Sequence, residues 1–325
     1  MATRKAKNAA AATASKTSTG ARPSPHAFFP FARYISIVGV HTSLLVFAAL
    51  FLPRAGFADF ASPSTARARP KRSGMVLLTE NPLRTMGWMC FGALILQVWW
   101  GSWVRFWALD AIQSAELKEK EKEKEKPSND DISKGEKNAD QSERRLKHQQ
   151  LNSDNVWVML QAGLATVACS FVFHVVVVLF GAPLLELPIR TYLLCLLLSL
   201  LTVFPPAYTL GVPTLKPDSG ALVRRLTWVR LFAELSPRSP IERALVYPAI
   251  GAVLGCWSGV IPIGLDWDRP WQAWPLTPAW GAFGGYVVGS LWAMVVSNIK
   301  NLVELGITAK SEDERTPKSK TRKKD

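Results

Sequence analysis

The chain has 325 residues, 48% of them hydrophobic and 20% charged, with a formal net charge of +14 and a mean hydropathy of +0.10. That near-neutral average hides long apolar runs between very polar segments, which excludes a single soluble core, because windows of about 20 apolar residues are membrane spans. A basic excess in a soluble protein would suggest nucleic acid. Here the basic residues flank apolar runs and no zinc-finger or other nucleic-acid module is found, so membrane orientation accounts for the charge more simply.

Residues 1–30 form a basic, acid-free leader of Ala, Ser, Thr and Pro, expected to be a disordered tail. It is not expected to be a cleavable signal peptide, because the apolar segment begins only near Phe31 and is long enough to remain as a span; a transit peptide is the alternative. Six spans are read, at about 31–52, 86–109, 156–181, 187–211, 244–265 and 279–299, which makes the fold class an all-α polytopic membrane protein with a single helical bundle. Arg105 lies close to the end of the second span, where a long side chain can snorkel. In the fourth, Pro205 and Pro206 cannot donate backbone hydrogen bonds, so the helix kinks or ends there.

Three polar stretches separate these runs. Residues 53–85 form a polar loop between the first two helices, 110–155 a charged low-complexity linker, and 300–325 a basic tail; all three are expected to be disordered. In the second stretch the alternating Lys and Glu through Lys126 leave an exposed helical extension as the other option. Residues 156–299 are then the core of four helices. Counted by sides, the tails and even loops hold twenty-nine Lys and Arg against seven in the odd loops, so both termini are expected to face the cytosol. The basic first loop, with Arg67, Arg69, Lys71 and Arg72, dissents. Lys323-Lys324 nearly forms a dilysine retrieval signal, one place too close to the end.

Glycines recur at four-residue spacing in the last two spans. Gly251, Gly255 and Gly259 form one ladder, and Gly281, Gly285 and Gly289 the other. Such ladders let backbones approach closely. They either pack these two helices together or offer a docking face to another membrane protein.

Few residues carry chemistry. Cys90, Cys169, Cys195 and Cys256 all lie in apolar runs without a CxxC, and are read as buried small side chains rather than a disulfide framework or metal site. His174 and His41 sit inside spans, where an imidazole faces protein or water. Gly181-Ala182-Pro183-Leu184-Leu185-Glu186 is a tight helix exit, and Glu186 is placed to pair with Arg190. The richest segment is Leu265–Pro275. Asp266, Asp268 and Arg269 sit among Trp267, Trp271 and Trp274, stiffened by Pro262, Pro270 and Pro275. Aromatic rings and hydrated charges in one short connection belong at the membrane interface. Two carboxylates are a thin metal site, Arg269 competes for them, and no activated Ser or Thr lies near, so no catalytic residue, metal or cofactor is assigned. The tryptophans are read as one interfacial platform for lipid or for a partner.

The run from Asp266 to Pro275 resembles the hallmark stretch of the PIG-F family, multi-span endoplasmic-reticulum proteins of glycosylphosphatidylinositol-anchor biosynthesis. Gly251–Pro262, Gly281–Tyr286 and Leu179–Leu184 are further matching islands, within about residues 156–299. Gly264 departs from the proline expected before Leu-Asp-Trp-Asp. The resemblance implies a non-catalytic subunit that binds and stabilises the large ethanolamine-phosphate transferases, with the metal-dependent active site in the large subunit. On that reading the glycine ladders are expected to dock partner helices, and the knot of Asp266, Trp267, Asp268, Arg269, Trp271 and Trp274 to brace a lumenal loop or lipid headgroup, with His174 and Glu186 as further partner- or lipid-binding candidates. Two rivals remain: a lipid transporter or scramblase, for which only His41, Gln97, Gln161 and His174 are polar at midspan, and a headgroup transferase using Asp266 and Asp268.

Overall fold

A computed structural model describes residues 29–54, 78–124, 136–183, 186–214, 217–265, 267 and 269–315. Among the described residues eight α-helices are delimited: α1 Phe31–Leu50, α2 Pro82–Lys124, α3 Glu136–Leu179, α4 Pro188–Thr202, α5 Phe204–Leu210, α6 Ser219–Trp228, α7 Pro240–Ser258 and α8 Leu276–Arg315. From residue 31 onward they form one compact unit. The protein is an all-α polytopic helical bundle, and among the described residues five segments are long and apolar enough to cross a membrane: Phe31–Arg54, Asn155–Leu179, Pro188–Leu210, Pro240–Gly264 and Leu276–Thr308.

The second of the six expected spans lies within α2 but falls outside that set. Its stretch carries Trp88, Trp99, Trp100, Trp103 and Trp107 together with Gln97, and so is less aliphatic than the others. Two of the expected linkers also depart from expectation. α2 runs on through the Lys/Glu stretch to Lys124, α3 starts at Glu136 and α8 continues to Arg315, so parts of 110–155 and 300–325 are helical. Glu and Lys are good helix formers, and a helix already nucleated by a packed span extends at little cost. The leader at 1–30 lies almost wholly outside the described residues, as do residues 55–77 of the expected loop 53–85, whose last four residues, 82–85, already belong to α2.

The prolines of the fourth span break it without ending it. Pro205 and Pro206 occupy the first turn of α5, where no N–H is needed, and Val203 bridges the two pieces, donating to Ser199 O and accepting from Ala207 N. This broken span is the axis of the bundle. In its most apolar stretch 78% of residues are buried, against 17% for α3, which lies on the rim. Around α4 the core gathers Leu45, Met86, Met89, Leu194, Leu197, Leu201 and Phe283. Polar ties cross it: Ser199 Oγ donates to Thr166 O at 2.6 Å, and Tyr286 OH bonds Gln97 Oε1 at 3.2 Å. Arg105 fastens α2 to Asn155 Oδ1 and to Tyr208 O, each at 3.0 Å, so it is held by protein rather than reaching freely for water.

Candidate aromatic platform and glycine seam

α7 starts on a full capping box. Ser239 Oγ accepts from Glu242 N, Glu242 Oε2 accepts from Ser239 N, and Pro240 opens the first turn. Its glycine ladder then meets that of α8. A Cβ on Gly285 would stand 2.0 Å from Gly251 O, one on Gly255 2.1 Å from Gly281 O, and one on Gly259 2.5 Å from Thr277 O. Gly289 closes the ladder against Tyr247 O and Pro248 Cα. Backbone lies on backbone along three helical steps, so no side chain larger than hydrogen fits. The six glycines therefore pack the two helices against each other, and Gly251, Gly255, Gly281, Gly285 and Gly289 also line the groove beside the seam. Alongside the seam the two helices leave an open apolar groove of about 720 Å³, with Leu254, Trp257, Val288 and Trp292 exposed on its banks.

Past α7 the chain takes a short 3₁₀ turn, Ile261–Gly264, then a second, Pro270–Gln272, before α8. Gln272 knits this connection. Its Nε2 donates to Pro262 O and to Leu265 O, each at 2.7 Å, while its Oε1 accepts from Arg269 N at 2.7 Å. A proline-rich turn has few N–H donors of its own, and one side-chain amide supplies the missing ones. The peptide bond Trp274-Pro275 is cis. Trp267 and Trp271 pair edge to face, centroids 5.7 Å apart, and Trp267 is 54% exposed. Arg269 is exposed, beside an open depression of about 550 Å³ that it lines with Leu265, Pro270 and Gln272.

The third tryptophan departs from the expected platform. Trp274 turns inward, packs against the core and donates from Nε1 to Thr191 Oγ1 at 3.0 Å. The same hydroxyl reaches Pro183 O and Leu187 O, both at 3.1 Å. Thr191 thus joins two islands that the sequence holds far apart, the exit of α3 and the connection before α8. Neither Thr191 nor Gln272 stood out in the sequence, although Gln272 is the one amide in a segment short of donors.

The remaining candidates divide. Asp266 and Asp268 lie outside the described residues. Glu186 is exposed at the turn before α4, and among the described residues it forms no ion pair with Arg190, which sits in the first turn of α4. His174 is half-buried on α3, edge-on to Tyr192 with centroids 6.2 Å apart, one residue along from Thr191. His41 is buried elsewhere, stacked on Trp100 at 4.9 Å and edge-on to Tyr286. Gln97 is buried beside that same tyrosine, while Gln161 is exposed on α3. The midspan polar residues therefore fall in three places: His41 with Gln97 at Tyr286, Gln161 on the exposed side of α3, and His174 at Tyr192. Among the described residues no three His, Cys, Asp or Glu side chains gather as a metal site would require.

Comparison with known proteins converges on these elements. The human "GPI ethanolamine phosphate transferase, stabilizing subunit" is 42% identical over 119 residues, 37% of this chain and 49% of the human protein. The "Glycosylphosphatidylinositol anchor biosynthesis protein 11" of Pyricularia oryzae is 39% identical over 137 residues, 42% of this chain and 46% of that protein. A "PIGF/3-ketodihydrosphingosine reductase fusion protein" of Schizosaccharomyces pombe is 39% identical over 133 residues, 41% of this chain and 24% of the fusion. The chain thus spans about half the length of the human and Pyricularia proteins it matches. No solved structure matches. The family model described as "GPI biosynthesis protein family Pig-F" covers residues 70–294, from before α2 to within α8 and so across the seam, the Gln272 turn and the Thr191 tie alike: the chain belongs to the PIG-F family.

Proposed function

We propose that the chain is a non-catalytic subunit of the endoplasmic-reticulum membrane that binds and stabilises the large ethanolamine-phosphate transferases of glycosylphosphatidylinositol-anchor biosynthesis. The observation that carries the reading is the family match over residues 70–294, joined to the name of the human relative as a stabilising subunit. The geometry is in keeping with it. A subunit that braces another protein needs a stiff surface rather than a reacting centre, and Gln272, Thr191 and the glycine seam stiffen one end of the bundle. The exposed pair Trp267–Trp271, the charges of Asp266, Asp268 and Arg269, and Glu186 make that end the lumenal contact for partner or headgroup. The apolar groove beside the seam, bounded by Trp257 and Trp292, takes a spanning helix of the transferase.

In this reading α2 is the sixth span. Its Trp-rich stretch is anchored in the core by Met86, Met89, Trp100 and Trp107, and six crossings return both termini to the cytosol, as the Lys and Arg distribution favours. Among the described residues, the placement of His41 with Gln97, of Gln161 and of His174 in three different places offers no continuous polar path to a transporter.

The test is purification of the tagged chain from membranes in mild detergent, with mass spectrometry of what co-elutes. Recovery of a large ethanolamine-phosphate transferase, reduced by Asp268→Arg or by Leu254→Arg in the groove, supports the reading. Recovery of the chain alone, with phosphoethanolamine transfer activity abolished by Asp266→Ala and Asp268→Ala, overturns it in favour of a headgroup transferase.

A further inference from the structure

Helix α6 and the π turn that continues it, Val229–Ala233, lie outside the five apolar spans yet are clamped to the ends of two of them. Trp228 Nε1 donates to Gly211 O at 3.0 Å, and Arg224 Nη1 donates to Val212 O at 3.4 Å. The inner face is thus held against the two residues that follow the span Pro188–Leu210. On the other side Arg230 forks onto Glu242 in the first turn of the span Pro240–Gly264, with Nη1 to Oε2 at 3.1 Å, and also donates to Ser236 O. A segment fastened within a few residues of two span ends stays at the membrane boundary.

The outward face of this helix is apolar. Leu222, Val223, Leu226 and Val229 recur at the i, i+1, i+4, i+7 spacing of one helical face, and each is about half exposed or more, Val223 reaching 63%. Arg225 borders that face, and its Nε is buried without a hydrogen-bond partner; Arg238 is exposed just beyond the turn. Residues 212–243 hold six Lys and Arg against three acids. An amphipathic helix with an exposed apolar face, a basic flank and a tryptophan fits the boundary between lipid headgroups and acyl chains.

We propose that α6 is an interfacial helix that reads the bilayer surface: its four apolar side chains rest at the edge of the acyl chains, and Arg225 and Arg238 meet the phosphates of anionic phospholipids. The lipid occupant follows from the clamps, which hold the face at the height of the span ends, and from the basic excess beside it. The proposal needs only the membrane bundle, not the transferase reading, and the two fail separately.

The full-length chain is reconstituted into phosphatidylcholine nanodiscs with and without phosphatidylserine. Nitroxides are attached singly at Val223 and Leu226 through a genetically encoded reactive amino acid, leaving the four cysteines untouched, with Ser311, exposed beyond the last span, as the water reference. Collision rates with oxygen, enriched in lipid, and with a water-soluble nickel chelate are compared. The expected result is an oxygen-to-nickel ratio several-fold above that of Ser311, rising further with phosphatidylserine, with the rise lost in Arg225→Glu and kept in Arg225→Lys. A ratio equal to that of Ser311 places the face in water and overturns the proposal. Exclusion of both reagents means that protein, such as a second copy, covers the face, and overturns it equally. A high ratio indifferent to phosphatidylserine overturns the assignment of Arg225 and Arg238 to anionic phosphates.

Discussion

Gln272 shows how much of a connection can hang on one side chain. Three backbone groups of residues 262–269 depend on its amide. Gln272→Leu removes three hydrogen bonds, each contributing about 0.5–1.5 kcal/mol, while Pro262 O and Leu265 O keep their backbone donors Leu265 N and Trp267 N. The expected outcome is faster proteolysis between residues 259 and 275 with the rest of the bundle intact, read by limited digestion of the detergent-solubilised chain; unchanged cleavage would remove Gln272 from its bracing role. Trp274 and Thr191 are a second pair for a cycle of substitutions. Trp274→Phe and Thr191→Val each remove the same hydrogen bond, worth about 1 kcal/mol. Their double variant is therefore expected to lose less stability than the sum of the two. Sequence reading found the tryptophans, because a Trp-rich polar run between apolar segments stands out. It could not tell which would turn inward, since the partner that decides this is a threonine 83 positions away.

At the level of whole helices, the seam between α7 and α8 makes a sharp prediction. Gly285 would put a Cβ 2.0 Å from Gly251 O, whereas the adjacent Gly284 meets nothing within 4 Å. Gly285→Val is expected to destabilise the solubilised chain by about 1–3 kcal/mol or more, since overpacking against backbone cannot be relieved by a rotamer change. Gly284→Ala is expected to be neutral or to gain up to about 1 kcal/mol of helix propensity. Thermal unfolding of the two variants in one detergent decides the matter. Equal melting would mean that the ladders do not pack as described. The ladders were visible in the sequence from their spacing alone, but spacing leaves open what they pack against, and only the facing register supplies that. Helix α6 was missed because hydropathy averaged over a span-length window dilutes a ten-residue amphipathic helix. The signals were present in Asp218 at its N-cap position and in the spacing of Leu222, Leu226 and Val229.

For the molecule as a whole, the apolar runs revealed the bundle because length and hydrophobicity suffice to define a span. The order of helices around α4 was not legible, because every apolar helix satisfies the same pattern until neighbours are known. The status of α2 tests the layout. If it crosses the bilayer, reporters in 55–77 and in 125–135 fall on opposite sides, and a glycosylation acceptor is modified only in the first. Modification of both, or of neither, would leave five crossings and place the termini apart.

The tie between Trp274 and Thr191 also bears on the order of synthesis. The axis of the bundle, α4 and α5, leaves the ribosome before its brace, which arrives only with the α7–α8 hairpin. That hairpin joins neighbours in sequence, so its two arms pair quickly once both are made. Until then the exit of α3 lacks its indole donor, and a chain halted before residue 274 carries inserted helices without the finished face. Completion of this end of the bundle is thereby coupled to synthesis of that hairpin.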